Sequence, residues 1–322
     1  MAVAGIPLGL ESWTYLPLYR AFLEGLGQKV VINSPTNKAT VDLGSKAIVD
    51  ETCLPCKIEA GAALQLDSEV DFLFVPRLVS LRRGITNCPK MIAMPDLLNQ
   101  RCKHDVVAPI VDIRRDKKSL IRAVRETGAR ITPDGHEVYQ AWYGALSTYH
   151  HYKHLMRGHL TPREAIAVLS GEKMVQPKPV PGQIKIGLVG HNYNLNDQFT
   201  SFDLVKRLRK EGAFVYTPDA LSERTINRMN RMLEKEIFWI HDRKLLGAAM
   251  YYIYRERVDG IIAITSFNCG TSAVTYEFIN HESEKKRVPI IHLVVDEHTE
   301  EAGLRTRIEA FISLIKWKRG EI

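Results

Sequence analysis

The densest run of reactive side chains is Glu51-Thr52-Cys53-Leu54-Pro55-Cys56-Lys57, which leads directly into a helical pattern. A thiolate at the start of a helix is stabilised by free backbone N–H groups and by the helix dipole, and Lys57 adds positive charge. Three chemistries use such a Cys-x-x-Cys. A thioredoxin-like dithiol normally follows a first strand, whereas this one follows a helix. A zinc site needs a second, regularly spaced pair, and Cys88 and Cys102 are too far apart to form one. An iron–sulfur site accepts widely spaced single cysteines, because the inorganic core sets the geometry.

Two further cysteines stand beside turn residues. Cys88 lies in Asn87-Cys88-Pro89-Lys90, ahead of a strand expected at Met91–Met94. Cys269 lies in Ser266-Phe267-Asn268-Cys269-Gly270-Thr271, just after a strand expected at Val258–Ile264. Ligands collect beyond the carboxyl ends of parallel strands, and Cys269 fits that placement. Cys102 reads as a small buried hydrophobe. Five cysteines cannot all pair within one chain, so disulfide stapling is not expected, and metal or redox chemistry is the question they pose.

Other candidates are histidines and acids. Gly187-x-x-Gly190-His191-Asn192-Tyr193 follows a strand and offers backbone N–H groups to an anion, with His191 as a proton donor or simply a turn cap. It is not the three-glycine dinucleotide fingerprint. Asp296-Glu297-His298 closes another strand, where Glu297 and His298 suit acid–base work, or the acids pair with Arg305 and Arg307. His150-His151-x-x-His154 has helical ligand spacing but lacks the acid of a zinc-protease motif, and reads as a solvated helix face.

The elements that must position these groups alternate between short apolar runs and amphipathic stretches. Strands are expected at Val3–Leu8, Val30–Asn33, Val70–Val75, Met91–Met94 and Val106–Val111, with helices at Glu11–Leu26, around Thr36–Val49 and at Lys117–Glu126. An aromatic-rich helical segment at His136–His159 and a helix start at Thr161-Pro162-Arg163-Glu164 precede the proline-rich Gly171–Gly182. The alternation then resumes: strands at Ile184–Val189, Phe214–Thr217, Val258–Ile264 and Val288–Val295, and helices at Phe202–Glu211, Arg224–Arg257, Ser272–His281 and Gly303–Lys318. This is an α/β pattern of two Rossmann-like, parallel-sheet domains joined by a helical segment. The boundaries fall at 1–132, 133–182 and 183–322.

Composition narrows the classes. The 322 residues are 45% hydrophobic and 25% charged, which is globular usage and excludes a disordered or fibrous chain. No apolar run approaches the ~20 residues of a membrane span. The first residues lack a basic segment before an apolar one, so a cytoplasmic protein is expected. The net charge of +7 is scattered over helices, and no nucleic-acid module is recognisable.

Taken together, several segments resemble the 2-hydroxyacyl-CoA dehydratase superfamily, and within it the activase-related branch that includes the double-cubane cluster proteins. They are Gly5-Ile6-Pro7; Cys53 to Lys57 with Gly61; Val70-Asp71-Phe72-Leu73-Phe74-Val75-Pro76; and Cys88-Pro89. Further along come Gly190-His191-Asn192-Tyr193, Val258-Asp259-Gly260, Ser266 to Gly270, and Asp296-Glu297-His298-Thr299 running on to Phe311.

The resemblance implies paired α/β domains with an iron–sulfur cluster, most simply [4Fe-4S], held between them by Cys53, Cys88 and Cys269, with Cys56 as an extra ligand or a neighbour. Three thiolates would leave one iron open for chemistry. It also implies a partner, an ATP-dependent activase with its own cluster, whose low-potential electron makes a ketyl radical on a 2-hydroxyacyl-CoA so that water leaves. Double-cubane relatives instead reduce small molecules. A homo- or hetero-dimer with a homologous chain is expected, without nucleic acid or membrane.

Two features depart from that pattern. Five cysteines cannot supply the six thiolates of a double cubane, so a single cubane per chain is the expectation. Thr271-Ser272 follows Cys269-Gly270 where relatives often carry proline and an acid. The chain has no Gly-x-x-x-x-Gly-Lys-Ser/Thr phosphate loop, so ATP hydrolysis falls to a separate partner. The leading expectation is a dehydratase or reductase acting at an open cluster iron. The alternatives are a non-catalytic electron-transfer or accessory subunit, and a zinc-stabilised binding protein.

Overall fold

The computed structural model describes residues 1–233 and 236–321. They form two compact units. The first comprises Met1–Leu155, Pro162–Met174 and Phe238–Ile240; the second comprises Met156–Thr161, Val175–Ile237 and His241–Ile322.

In the first unit, β1 (Val3–Ile6), β2 (Lys29–Ile32), β3 (Phe72–Phe74) and β5 (Asp105–Val107) form a parallel sheet in the order β2-β1-β3-β5. A second ribbon pairs β4 (Arg77–Ser80) with β6 (Ile110–Asp112), also parallel. One continuous strand was expected at Val106–Val111. The chain makes two there, because Pro109 has no N–H to continue a ladder and the two halves pair with different partners.

Met91–Met94 is no strand but part of the helix Pro89–Arg101. Pro89, directly after Cys88, is preset for a first helical turn, and the buried side chains Met91, Met94, Pro95 and Leu98 recur at helical spacing. The helix Leu54–Leu66 starts the same way, with Pro55 in its first turn. It packs backbone against backbone on the helix Lys38–Ala47: a Cβ at Gly61 would meet the Thr40 carbonyl oxygen at 1.9 Å, and one at Gly44 the Lys57 carbonyl oxygen at 1.7 Å. That contact fixes the helix that carries Cys56.

The second unit repeats the strand order. β7 (Lys185–Gly190), β8 (Phe214–Tyr216), β9 (Gly260–Ser266) and β10 (Ile290–Val295) lie as β8-β7-β9-β10, all parallel. β7 and β9 are central and almost wholly buried, as their unbroken apolar runs require. The helical region expected at Arg224–Arg257 is two helices, Glu223–Asn230 and Ile240–Tyr251, closed by a π-helical turn at Tyr252–Glu256. Residues 234 and 235 of that stretch lie outside the described residues, as does residue 322. Both sheets are thus α/β parallel sheets flanked by helices, the architecture the alternation implied.

Candidate functional site

In a sheet ordered second-first-third-fourth, the chain leaves the first and third strands in opposite directions, opening a crevice at their carboxyl ends. In the second unit those strands are β7 and β9. His191 is the first residue beyond β7, and Cys269 lies three residues beyond β9. The turn into Cys269 passes through Asn268 in the left-handed conformation (φ 62°), a region asparagine tolerates better than most residues.

These two side chains meet. The Cys269 Sγ lies 3.1 Å from the Ser272 hydroxyl and 3.7 Å from that of Thr271. His191 Nε2 lies 3.4 Å from the same Ser272 hydroxyl and 3.6 Å from Asp242 Oδ1, while the Tyr193 hydroxyl sits 2.7 Å from Nδ1. Asp242 also accepts from the Thr275 hydroxyl. Burial alone would keep the His191 imidazole neutral, but the Asp242 carboxylate, helped by Cys269, overrides it and raises His191 to about 10. Burial alone would raise the Cys269 thiol; the hydrogen bond and charge of His191, then Ser272, outweigh this and bring it down to about 6. Asp242 stays below the ordinary carboxyl range because His191 outweighs its burial. The arrangement is a buried thiolate–imidazolium pair steadied by a carboxylate.

The first unit gathers the other cysteines. Cys53 and Cys56 Sγ atoms are 3.7 Å apart. The hydrogen bond with Cys53, then burial, then the nearby charges of Cys53 and Cys88 raise the Cys56 thiol well above its usual value. Lys90 acts the other way on it. That lysine also donates to the Glu51 carbonyl. Cys53 and Cys88 are half-buried and Cys56 is buried.

One positional feature unites three cysteines. Cys53, Cys88 and Cys269 are each the N-cap of a helix, of 13, 13 and 17 residues, and none uses its side chain to cap. Each sulfur therefore stands at the positive end of a helix dipole, where free N–H groups favour a thiolate. Cys102 occupies the opposite end, the C-cap of Pro89–Arg101, and burial with the charge of Asp67 raises its thiol to about 11. Among the described residues, no group of three or more histidines, cysteines or acids stands ready as a metal-ion cage. The donor set nonetheless suits a thiolate-bound group by chemistry: soft sulfur, helix N-termini, and one sulfur already favouring the anion.

The remaining candidates are placed as follows. Asp296 closes β10 and folds a turn, its carboxylate accepting from the His298 N–H and the Thr299 hydroxyl. Glu297 is half-buried and His298 exposed. Arg305 pairs with Glu309, and Arg307 donates to the His292 carbonyl. His150, His151 and His154 are exposed on the helix Gly135–Arg157. Asp242 and Ser272 are the site residues that reading the sequence missed. Asp242 looks like any charge in a helical first turn, whereas Ser272 was marked only as a departure from relatives.

Residues 4–221 match the family described as CoA enzyme activase uncharacterised domain (DUF2229). The chain belongs to this activase-associated family. The matched span holds Cys53, Cys56, Cys88 and His191 and ends before Cys269. No curated protein matches the activase-associated chain. None of its described helices is long and apolar enough to cross a membrane.

Proposed function

We propose that the chain is an iron–sulfur protein of the 2-hydroxyacyl-CoA dehydratase type, of the activase-related branch. On this reading Cys53, Cys88 and Cys269 supply thiolates to a cluster, most simply [4Fe-4S], with Cys56 as an additional sulfur. The partner is an ATP-dependent activase carrying its own cluster, and the substrate is an acyl-CoA or a small reducible molecule. The observation that carries the reading is the placement of these three cysteines at helix N-termini, opposite in polarity to Cys102.

When bound, such a cluster supplies low-potential electrons and, with three protein thiolates, an iron open to substrate. The chain's own residues hold charge and protons around it. His191, held protonated by Asp242, stabilises the Cys269 thiolate and keeps one proton beside that sulfur. Ser272 donates to the same sulfur. Glu297 and His298, at the carboxyl end of β10, are the remaining acid–base candidates.

Iron and acid-labile sulfide, measured per chain after anaerobic purification, test this reading. Wild type and Cys102→Ala carry equal amounts, while Cys53→Ala, Cys88→Ala and Cys269→Ala each lose most of it. Equal iron in all five proteins refutes the ligand assignment. A second reading rests on Cys56 standing 3.7 Å from Cys53. If Cys56→Ala loses iron as the other three do, four thiolates close the cluster and the chain is an electron-transfer or accessory subunit.

A further inference from the structure

The first unit contains a cavity of about 210 Å³ that none of the chemistry above uses. Its wall is almost wholly hydrocarbon, with Phe22, Phe74, Val111, Ala123, Val124 and Trp142 at the core. Half-buried Tyr15, Leu81 and Pro109, with exposed Leu120, form a rim that meets solvent. An apolar cavity of ~150 Å³ stays dry and takes up benzene, because water there finds no polar partners. This one is larger and equally apolar, so a substituted ring or a branched hydrocarbon of similar bulk fits it.

A second, much smaller cavity of about 20 Å³ adjoins it, and Tyr19, Phe74 and Pro76 line both. That is room for one water-sized oxygen and no more. Its lining is polar where the first is not: Glu11, Ser12, Tyr19 and Glu59. Here two buried polar atoms lack partners, the Tyr19 hydroxyl and Glu59 Oε2. Unpartnered buried groups of this kind are rare, and each costs free energy until something bonds to it. The small cavity lies beyond the carboxyl ends of β1 and β3, the topological position that His191 and Cys269 occupy in the sheet of the second unit.

We propose that this pair of cavities is a binding site for a small uncharged aromatic or branched aliphatic compound bearing one hydroxyl group, the hydrocarbon filling the larger cavity and the hydroxyl bonding to Tyr19 and Glu59. Glu11 beside the small cavity disfavours an anionic head, and the larger cavity offers no partner to any charge. A hydroxyl has both a hydrogen and lone pairs, so it bonds to both orphans at once, accepting from the protonated Glu59 and pairing with the Tyr19 hydroxyl. Burial, then the charge of Glu11, raises Glu59 to about 8, which leaves its carboxyl neutral near pH 7 and consistent with an uncharged partner. The site needs no iron and stands apart from the cluster reading.

Calorimetric titration of the full iron-free chain with p-cresol and with toluene tests it. Both probes bind saturably, p-cresol more tightly. Tyr19→Phe weakens p-cresol by about tenfold, the worth of one buried hydrogen bond, and leaves toluene unchanged. Ala123→Phe, which fills the larger cavity, abolishes both; Leu146→Phe, a milder filling on the same wall, serves if Ala123→Phe does not fold, as its melting curve reveals. Saturable binding of neither probe overturns the site. So does a Tyr19→Phe change that weakens both probes equally or neither, and so does binding that survives the filled cavity.

Discussion

His191 Nε2 and Asp242 Oδ1 lie 3.6 Å apart, both almost fully buried, and this contact governs the state of a third residue, Cys269. A protonated imidazole cannot persist in an apolar interior without a counter-charge, and Asp242 provides it. The sulfur at the N-terminus of Gly270–Lys286 is then offered a positive neighbour as well as a helix dipole.

Asp242→Asn is therefore expected to shift Cys269. In the iron-free protein, alkylation at Cys269, followed against pH by mass spectrometry, has its midpoint near 6 in wild type. It moves in the variant toward ~8.5, the ordinary thiol value. Stability falls by about 3–5 kcal/mol, the usual cost of breaking a buried ion pair from one side. An unchanged midpoint would show that the carboxylate does not control the thiol.

Glu59 makes the stability depend on pH with a definite sign. Its carboxyl is raised to about 8 in the folded protein, against ~4.3 in an unfolded chain. Between those values the folded state keeps a proton that the unfolded state has lost. The favourable contribution is complete below ~4.3 and disappears as pH rises through about 8, with a slope of up to about 1.4 kcal/mol per pH unit. Urea unfolding midpoints of wild type decline over that interval, and Glu59→Gln flattens the decline. Parallel profiles for the two proteins would count against a neutral buried Glu59.

Gly61→Ala tests the helix contact that carries Cys56. The added methyl would stand 1.9 Å from the Thr40 carbonyl oxygen, a backbone atom that cannot swing aside. The two helices must separate, at a cost of about 3 kcal/mol. Thermal unfolding reads the loss directly, and reactivity of Cys56 rises as its burial is relaxed. A melting point within a degree of wild type, which would imply a cost well below 1 kcal/mol, contradicts the close packing.

Much of this protein was legible from local patterns. The βα alternation, the proline-rich Gly171–Gly182 and the helix start at Pro162 are readable because turn residues and side-chain periodicity act within a few positions along the chain. Met91–Met94 was misread for the same reason: four residues are too few for a period to declare itself, and the deciding signal was Pro89 as a first helical residue. Arg77–Ser80 escaped notice because its strand character comes from pairing with Ile110–Asp112, over thirty residues away.

The sequence alone marked Cys53, Cys88 and Cys269 as unusual, since a proline or glycine following a cysteine at an element boundary is a local fact. It also limited the thiolates to five. Only the tertiary structure decided that residues 191, 242 and 269 share one buried site, that Lys90 acts on Cys56, and that Tyr19 and Glu59 are left unpartnered beside a cavity. Charge interactions and desolvation depend on distance through space, and parallel strand order, which brings the ends of β7 and β9 together across some seventy intervening residues, sets those distances.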